Sequence, residues 1–327
     1  MIDTIDFTSY LNEYEFPAPF LIENLESGMN NTTRIISSAD KRYVLRIYNN
    51  HKDIDIVRLE QEILSELLQE ELPFRVPVPL RNKRGETISI AADGTLSALF
   101  HYIDGERPSS ANLSHVYALG VTAAKLSRAL AAIRPTRKAQ YSPYYRLEET
   151  YAPMDGKIFL AMAERSAELT ARKPSFEALQ AEREQLAEAC AEFGQWPMQW
   201  IHGDLVFNNT VSQADRIIGV LDFEFATMDV RAMELAVIVV DLIKPNDVAL
   251  HEKVRLLLNG YQDTNPLTGR ELKILPLLMK LRLLDVALHF AGRLRDQLDH
   301  EDVLCGIIDQ SLFGCKWINE HWEDEMV

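Results

Sequence analysis

The segments His202-Gly203-Asp204-Leu205-Val206-Phe207-Asn208-Asn209 and Leu221-Asp222-Phe223-Glu224 decide how this chain is read. Between them lie Thr210-Val211-Ser212 and Ile217-Ile218-Gly219-Val220-Leu221, separated by Gln213-Ala214-Asp215-Arg216. Two extended runs around a polar turn read as a β-hairpin. A hairpin returns Asp222 to the side of Asn209, although the two are thirteen positions apart. Asp204 lies on the loop entering the hairpin, so three oxygen-bearing side chains meet at one end of a small sheet. Asn209 and Asp222 suit magnesium, which keeps several waters and takes one or two carboxylates plus substrate phosphates. Asp204 is then left to accept the proton of an attacking hydroxyl. Phosphoryl transfer needs mainly positioning, a metal to neutralise developing charge and an oriented nucleophile.

Outward from this stretch, the first hundred residues read as strands with one main helix, and the rest as mainly helical. Phe7, Tyr10, Leu11 and Tyr14 suggest a short leading helix. Thr32 to Ile36 and Tyr43 to Tyr48 read as strands around a turn at Ser37 to Lys41. Ile56, Leu59, Ile63, Leu67 and Leu68 mark one face of a helix over about 54–70, ended by Pro73, Pro77 and Pro79. Thr87 to Ile90 and Ser97 to Tyr102 are further strand candidates, and Asp104 to Pro108 is a turn and the candidate lobe boundary. Asn112 caps a helix striped by Val116, Leu119, Ala123, Leu126 and Leu130. Another helix is expected around 176–193, and one over 272–290 in which Pro276 marks a kink or a start. The carboxylate-rich end, His321 to Glu325, reads as a frayed exposed tail.

HxDxxxxN followed by a hydrophobic DFE resembles the catalytic loop and metal-binding Asp of the protein-kinase-like fold. Gly203 after His202 is similar to the aminoglycoside phosphotransferase and choline kinase family. The LRIY strand and the DFEFA run lean toward its type II homoserine kinase-like branch. The resemblance implies an α+β, two-lobed fold: a β-rich N-lobe over 1–103 and a helical C-lobe over 104–327. It implies ATP and Mg2+ as cofactors, Asp204 as catalytic base, Asn209 and Asp222 as metal ligands, and His202 as a brace for the loop. It makes 25–32, with Ser27, Gly28 and Asn31, the phosphate-covering loop. Arg46 on the third strand reaches the phosphates and Glu60 pairs with it. Phe100 and Tyr102 belong to the hinge strand, where backbone groups meet adenine. Arg46 stands where lysine is usual and Glu234 where aspartate is usual.

The formal net charge is −15, with 34 Lys and Arg against 49 Asp and Glu. That excludes a general nucleic-acid binder, because phosphate backbones need a cationic face. The same excess suits solubility and favours a cationic acceptor, whereas homoserine calls for a basic anchor. The acceptor classes are therefore amino alcohols, homoserine-like molecules and aminoglycosides. Three cysteines without a CxxC fit a reducing cytosol, and the longest apolar helical block, 236–240, is far short of a membrane span. A soluble monomer or homodimer follows, with no membrane partner. No GxxxxGK[ST], HExxH or GxSxG occurs. Singly, Asp204 and Asp222 also fit turn or capping roles, and Arg46 with Glu60 a surface ion pair. The rival function is a noncatalytic nucleotide-binding pseudokinase or interaction protein on the same fold, suggested by Arg46 and Glu234.

Overall fold

The computed structural model describes residues 6–15, 19–24, 31–49, 53–190 and 193–325. Ser27 and Gly28 lie outside the described residues. A short helix, α1 (Phe7–Leu11), precedes a five-stranded antiparallel sheet. Its strands are β1 (Phe20–Asn24), β2 (Asn31–Ser38), β3 (Lys41–Tyr48), β4 (Ser89–Ile90) and β5 (Leu96–His101), in spatial order β1-β2-β3-β5-β4. The alternation in Lys41–Tyr48 buries Tyr43, Leu45 and Ile47 on one face. Those side chains, with Ile36 and Leu99, pack under Leu11 and Tyr14 in a small outer core. Arg46 points to the opposite face, toward α2 (Ile54–Leu67).

The α2 helix starts at Asp53, whose side chain accepts from Asp55 N–H, and ends at Leu67. Its apolar face, Leu59, Ile63, Leu64 and Leu67, joins the main core, which is continuous with the helical lobe. The sheet ends at His101 and α3 (Leu113–Ala132) begins after a linker, capped by Asn112 as the sequence suggests. Then come α4 (Leu147–Thr150), α5 (Gly156–Ala161), α6 (Ala167–Thr170) and α7 (Lys173–Cys190).

Two two-stranded sheets follow: β6 (Gln199–Ile201) with β9 (Thr227–Asp229), and the expected hairpin of β7 (Thr210–Gln213) with β8 (Arg216–Val220). The β6–β9 pair, three residues a side, carries too little pattern to be read from sequence. It brackets the catalytic segment and brings both its ends together. The remaining helices are α8 (Ala232–Leu242), α9 (Leu250–Gln262), α10 (Gly269–Arg295) and α11 (Glu301–Glu325).

Two expectations are corrected here. Of the two readings of Pro276, a kink or a start, the start is ruled out: the helix begins at Gly269, fixed by a capping box between Thr268 and Glu271, with Pro276 inside it. The stretch His321 to Glu325 is not a frayed tail, because α11 continues to Glu325 and Trp322 is buried. The leucine stripe Leu275, Leu278, Leu281 and Leu284 is core rather than a dimer seam. All three cysteines are unpaired and buried. Among the described residues no helix is long and apolar enough to cross a membrane.

The helices α3 and α9 cross at two glycines. A Cβ on Gly120 would collide with the Leu257 carbonyl oxygen, and one on Gly260 with the Tyr117 carbonyl oxygen. Backbone lies against backbone at both positions, so neither clash is relieved by turning a side chain. Gly120→Ala is expected to lower unfolding free energy by about 1–3 kcal/mol, measured by urea denaturation. Gly292→Ala in α10, where the added methyl meets open space, is the control and should be neutral or slightly stabilising.

Candidate active site

The hairpin does what its sequence requires. Thr210 pairs with Val220, and the Leu221 N–H donates to the Asn209 carbonyl at 2.8 Å. Asp222 follows directly, in the left-handed region at φ 66°. This conformation is uncommon for a residue with a side chain and clusters at functional sites. Here it turns the Asp222 carboxylate back toward the cleft instead of extending the strand.

Asn209 faces Asp204. Its Nδ2 donates to the Asp204 carbonyl at 2.8 Å and to Asp204 Oδ2 at 3.0 Å, which leaves the amide oxygen for a ligand. The loop under Asp204 is held by side chains reaching backbone. His202 is fully buried. Its Nδ1 accepts from the Asp204 N–H at 3.2 Å and its Nε2 lies 2.8 Å from the Leu221 carbonyl. A neutral ring with its hydrogen on Nε2 satisfies both. Gly203 sits at φ 81°, where a Cβ would meet the Phe225 carbonyl oxygen at 2.6 Å; a side chain fits neither the conformation nor the space. Tyr144 donates its hydroxyl to the Gly203 carbonyl at 2.6 Å. Glu234 Oε2 accepts from the His202 N–H at 2.5 Å. The longer carboxylate at position 234 therefore still reaches the loop backbone. Burial raises its pKa, opposed by His202 and the backbone N–H donors.

Across the cleft, Arg46 Nη1 lies 3.0 Å from Glu60 Oε1 and 3.1 Å from Asp222 Oδ1. Tyr48 donates to the second Glu60 oxygen at 3.0 Å. The guanidinium is held cationic: burial works against the charge, but Asp222 and Glu60 outweigh it. Burial, opposed by Arg46, pushes Glu60 up to about 7. Burial likewise raises Asp222, against the pull of Arg46. The Asp222 contact is close in distance but not aligned as a hydrogen bond, so Oδ1 is a buried oxygen without a hydrogen-bond donor. Glu224, at the end of DFE, accepts from Asn31 Nδ2 at 2.7 Å and thereby ties β2 to the metal loop.

The cleft between the sheet and the hairpin encloses about 500 Å³. Val44, Pro77, Phe100, Val211 and Leu221 line its apolar part, and Arg46, Glu60, Asn209 and Asp222 its polar end. Tyr102 lines it too, beneath the Arg42 guanidinium at 3.9 Å. The Tyr102 N–H is already given to the Arg42 carbonyl. Asn31 is buried beside Glu224 rather than open to the cleft.

Arg282 was not found from sequence. From α10 it donates through Nη2 to Asp204 Oδ1 at 2.6 Å and through Nη1 to the Tyr144 hydroxyl at 2.9 Å. Asp285 Oδ2 stands 3.4 Å away, with its other oxygen taken by the Tyr151 hydroxyl at 2.7 Å. Nothing in the linear pattern singles Arg282 out: it is one cation in a leucine-rich helix, 78 positions from Asp204.

Among the described residues no group of three or more His, Cys, Asp and Glu is arranged to hold a metal. One amide oxygen and one underused carboxylate suit an ion that draws its remaining ligands from phosphates and water, as magnesium does.

The profile of a phosphotransferase enzyme family matches residues 22–297. A homoserine kinase of Rhodopseudomonas palustris is 25% identical over 280 residues, 84% of this chain and 80% of that protein. One of Methylobacillus flagellatus is 23% identical over 325 residues, 95% of this chain and 96% of that protein. A microcompartment-associated aminopropanol kinase superposes with a TM-score of 0.70 at 16% identity, covering 97% of each chain. An amicoumacin kinase in complex with AMP-PNP and Ca2+ also gives 0.70, at 15% identity, over 95% of this chain and 93% of that one. At such identities the structures show the fold, the two-lobed protein-kinase-like one.

Asp229, buried at the end of β9, accepts from the Tyr144 and Val230 N–H groups, each at 2.7 Å. Burial pushes it from its ordinary 3.8 up to about 7, against the pull of those two donors. The folded state thus binds this proton more tightly than the unfolded chain. Its contribution to stability is full below about pH 4 and is lost as pH rises to about 7. The Asp229→Asn variant should accordingly show a shallower fall in unfolding free energy between pH 5 and 7.5 than the parent, measured by urea denaturation across that range. An unchanged slope would remove Asp229 as its source.

Proposed function

Since this chain belongs to the phosphotransferase enzyme family, we propose that it transfers the γ-phosphoryl group of ATP to the hydroxyl of a hydroxy amino acid of the homoserine kind. The observation that carries the chemistry is the meeting of Asp204, Asn209 and Asp222 at one end of the hairpin, facing the Arg46–Glu60 pair across the cleft. The acceptor class rests on homoserine kinases that align with 84–95% of the chain, and on the cation Arg282 beside Asp204.

In this reading the base sits among the apolar residues that line the cleft, and the triphosphate runs toward Arg46. Arg46 contacts the inner phosphates and Glu60 orients it; an arginine offers two parallel donors where a lysine offers a point charge. Asn209 and Asp222 would hold Mg2+, which would supply charge neutralisation on the phosphates. Asp204 receives the hydrogen bond of the acceptor hydroxyl and takes its proton. The hydroxyl oxygen forms the new bond to phosphorus as the bond to the β-phosphate oxygen breaks, and that electron pair leaves with ADP. Asn209 Nδ2 keeps the Asp204 carboxylate turned toward the acceptor. The lobes, taken as 1–103 and 104–327, supply the phosphate grip and the base respectively.

The noncatalytic alternative is not favoured. Arg46 keeps its ion pair with Glu60, Glu234 still reaches the loop backbone, and both oxygen ligands face the cleft.

The test is magnesium-dependent ATP consumption against homoserine, choline, ethanolamine, methylthioribose, sugars and aminoglycosides. Asp204→Asn should retain nucleotide binding and lose turnover by about a hundredfold or more; unchanged turnover would remove its role as base. Asp222→Ala should weaken nucleotide binding in the presence of magnesium but much less in its absence, measured by titration calorimetry. Equal weakening under both conditions would count against its role as a metal ligand.

A further inference from the structure

We propose that Arg282 locks the catalytic carboxylate in the free enzyme and that a carboxylate on the acceptor opens the lock by taking the guanidinium; this rests on the reading of Asp204 as proton acceptor.

Two donors hold Asp204. Asn209 fixes Oδ2 at 3.0 Å, and Arg282 Nη2 occupies Oδ1 at 2.6 Å. The first contact orients the carboxylate from within its own loop. The second comes from a different helix and takes up an acceptor position on the other oxygen. Charge-assisted pairs of this length are strong, so the Asp204 carboxylate is held in this orientation until something replaces it as a partner of the cation.

The surroundings of Arg282 are arranged for that exchange. Its Nη1 rests on the Tyr144 hydroxyl at 2.9 Å, and that hydroxyl is itself anchored on the Gly203 carbonyl. Asp285 stands behind it at 3.4 Å and is pinned by Tyr151. When the guanidinium turns from Asp204, Asp285 continues to compensate its charge, so release does not strand a bare cation. The side chains of Asp204, Arg282 and Asp285 are 24%, 18% and 20% exposed. They are enclosed but still reachable.

A planar guanidinium matches a carboxylate by paired donors. An alcohol without an acid group offers nothing comparable and leaves Arg282 on Asp204. The lock therefore selects carboxylate-bearing alcohols, and it also protects ATP from water. In hydrolysis a water oxygen would bond to the γ-phosphorus, the bond to the β-phosphate oxygen would break with its electrons going to ADP, and the water proton would pass to Asp204. With the carboxylate held on Arg282 in this orientation, the water proton lacks an aligned acceptor, and the reaction waits for the true substrate.

The experiment compares homoserine with 3-aminopropan-1-ol, which has the same hydroxyl and amine but hydrogen in place of the carboxylate. It uses the full chain with magnesium and ATP. For the wild type we expect kcat/KM for homoserine to exceed that for aminopropanol by about a hundredfold, with little ATP hydrolysis when no acceptor is present. Arg282→Met should bring the two acceptors to within a few-fold of each other and raise acceptor-free hydrolysis severalfold. Arg282→Lys, which keeps the charge without the fork, should fall between. Nucleotide binding and the unfolding midpoint of each variant establish that it is folded; if Arg282→Met is not, Arg282→Lys carries the comparison. Equal losses on both acceptors with no rise in hydrolysis would make Arg282 a loop support only and overturn the proposal. A wild type that uses aminopropanol as well as homoserine, or only alcohols without a carboxylate, would overturn it while leaving phosphoryl transfer intact. A wild type whose ATP turnover with every acceptor is unaffected by Asp204→Asn would instead overturn the underlying reading, and the proposal with it.

Discussion

One guanidinium holds the two halves of this site together. Arg46 rises from the middle of β3, meets Glu60 from α2 and reaches Asp222 at the end of the hairpin. Two neighbouring elements of the N-lobe and one hairpin distant in sequence thus share a single buried cation. The carboxylates around it raise one another's pKa: Asp222 and Glu224 both add to the burial that lifts Glu60. Such an acid cluster is costly unless it is compensated, because charges buried in a low dielectric repel strongly. Arg46 supplies one positive charge where Glu60, Asp222 and Glu224 gather. The remaining negative potential, centred on the unaligned Oδ1 of Asp222, is what a divalent cation would neutralise. The same feature that strains the free protein would favour a metal-bound nucleotide.

The catalytic loop is secured differently. Its supports are side chains of His202, Tyr144 and Glu234 bonded to main-chain atoms. Backbone atoms have fixed positions, so contacts to them define the course of the loop without depending on another rotamer. Asp229 extends the arrangement by one step, since it holds the Tyr144 N–H while the Tyr144 hydroxyl holds Gly203. Buried networks of this kind are rigid when every member is satisfied. The Glu234 Oε1 oxygen is the exception, buried and without a donor. The extra methylene at position 234, where aspartate was expected, preserves the contact to the loop but leaves one oxygen unused.

How much could be read beforehand follows from the range of each interaction. The hairpin, with Asn209 and Asp222 at its mouth, is a local feature set by two β-branched runs and a turn, and it was legible. The helix cap at Asn112 and the strand over Arg46 were legible for the same reason. The paired β6 and β9 were not, because three residues a side hold no period. The acidic residues around Trp322 suggested an exposed end, whereas Trp322 continues the buried face that Leu304, Ile308, Trp317 and Ile318 form along α11. Arg282 was invisible because its meaning lies in where α10 crosses the catalytic loop, and the composition of that helix says only that it is buried.

Arg282 also resolves a conflict that composition could not. The net charge of −15 hints at a cationic acceptor, while homoserine-like relatives imply an anionic group to be anchored. Net charge is summed over the whole surface and speaks to solubility; recognition is decided by the few groups that can touch a ligand. Around Arg282 those groups are the acids Asp204 and Asp285, with the guanidinium between them. A purely cationic acceptor would gain from the two acids but would have to tolerate the guanidinium between them. A zwitterion would satisfy both signs, placing its carboxylate on Arg282 and keeping its ammonium in the negative field of the neighbouring acids. The local order of charges, acid–cation–acid, is therefore better matched by an amino acid than by an amine or an acid alone.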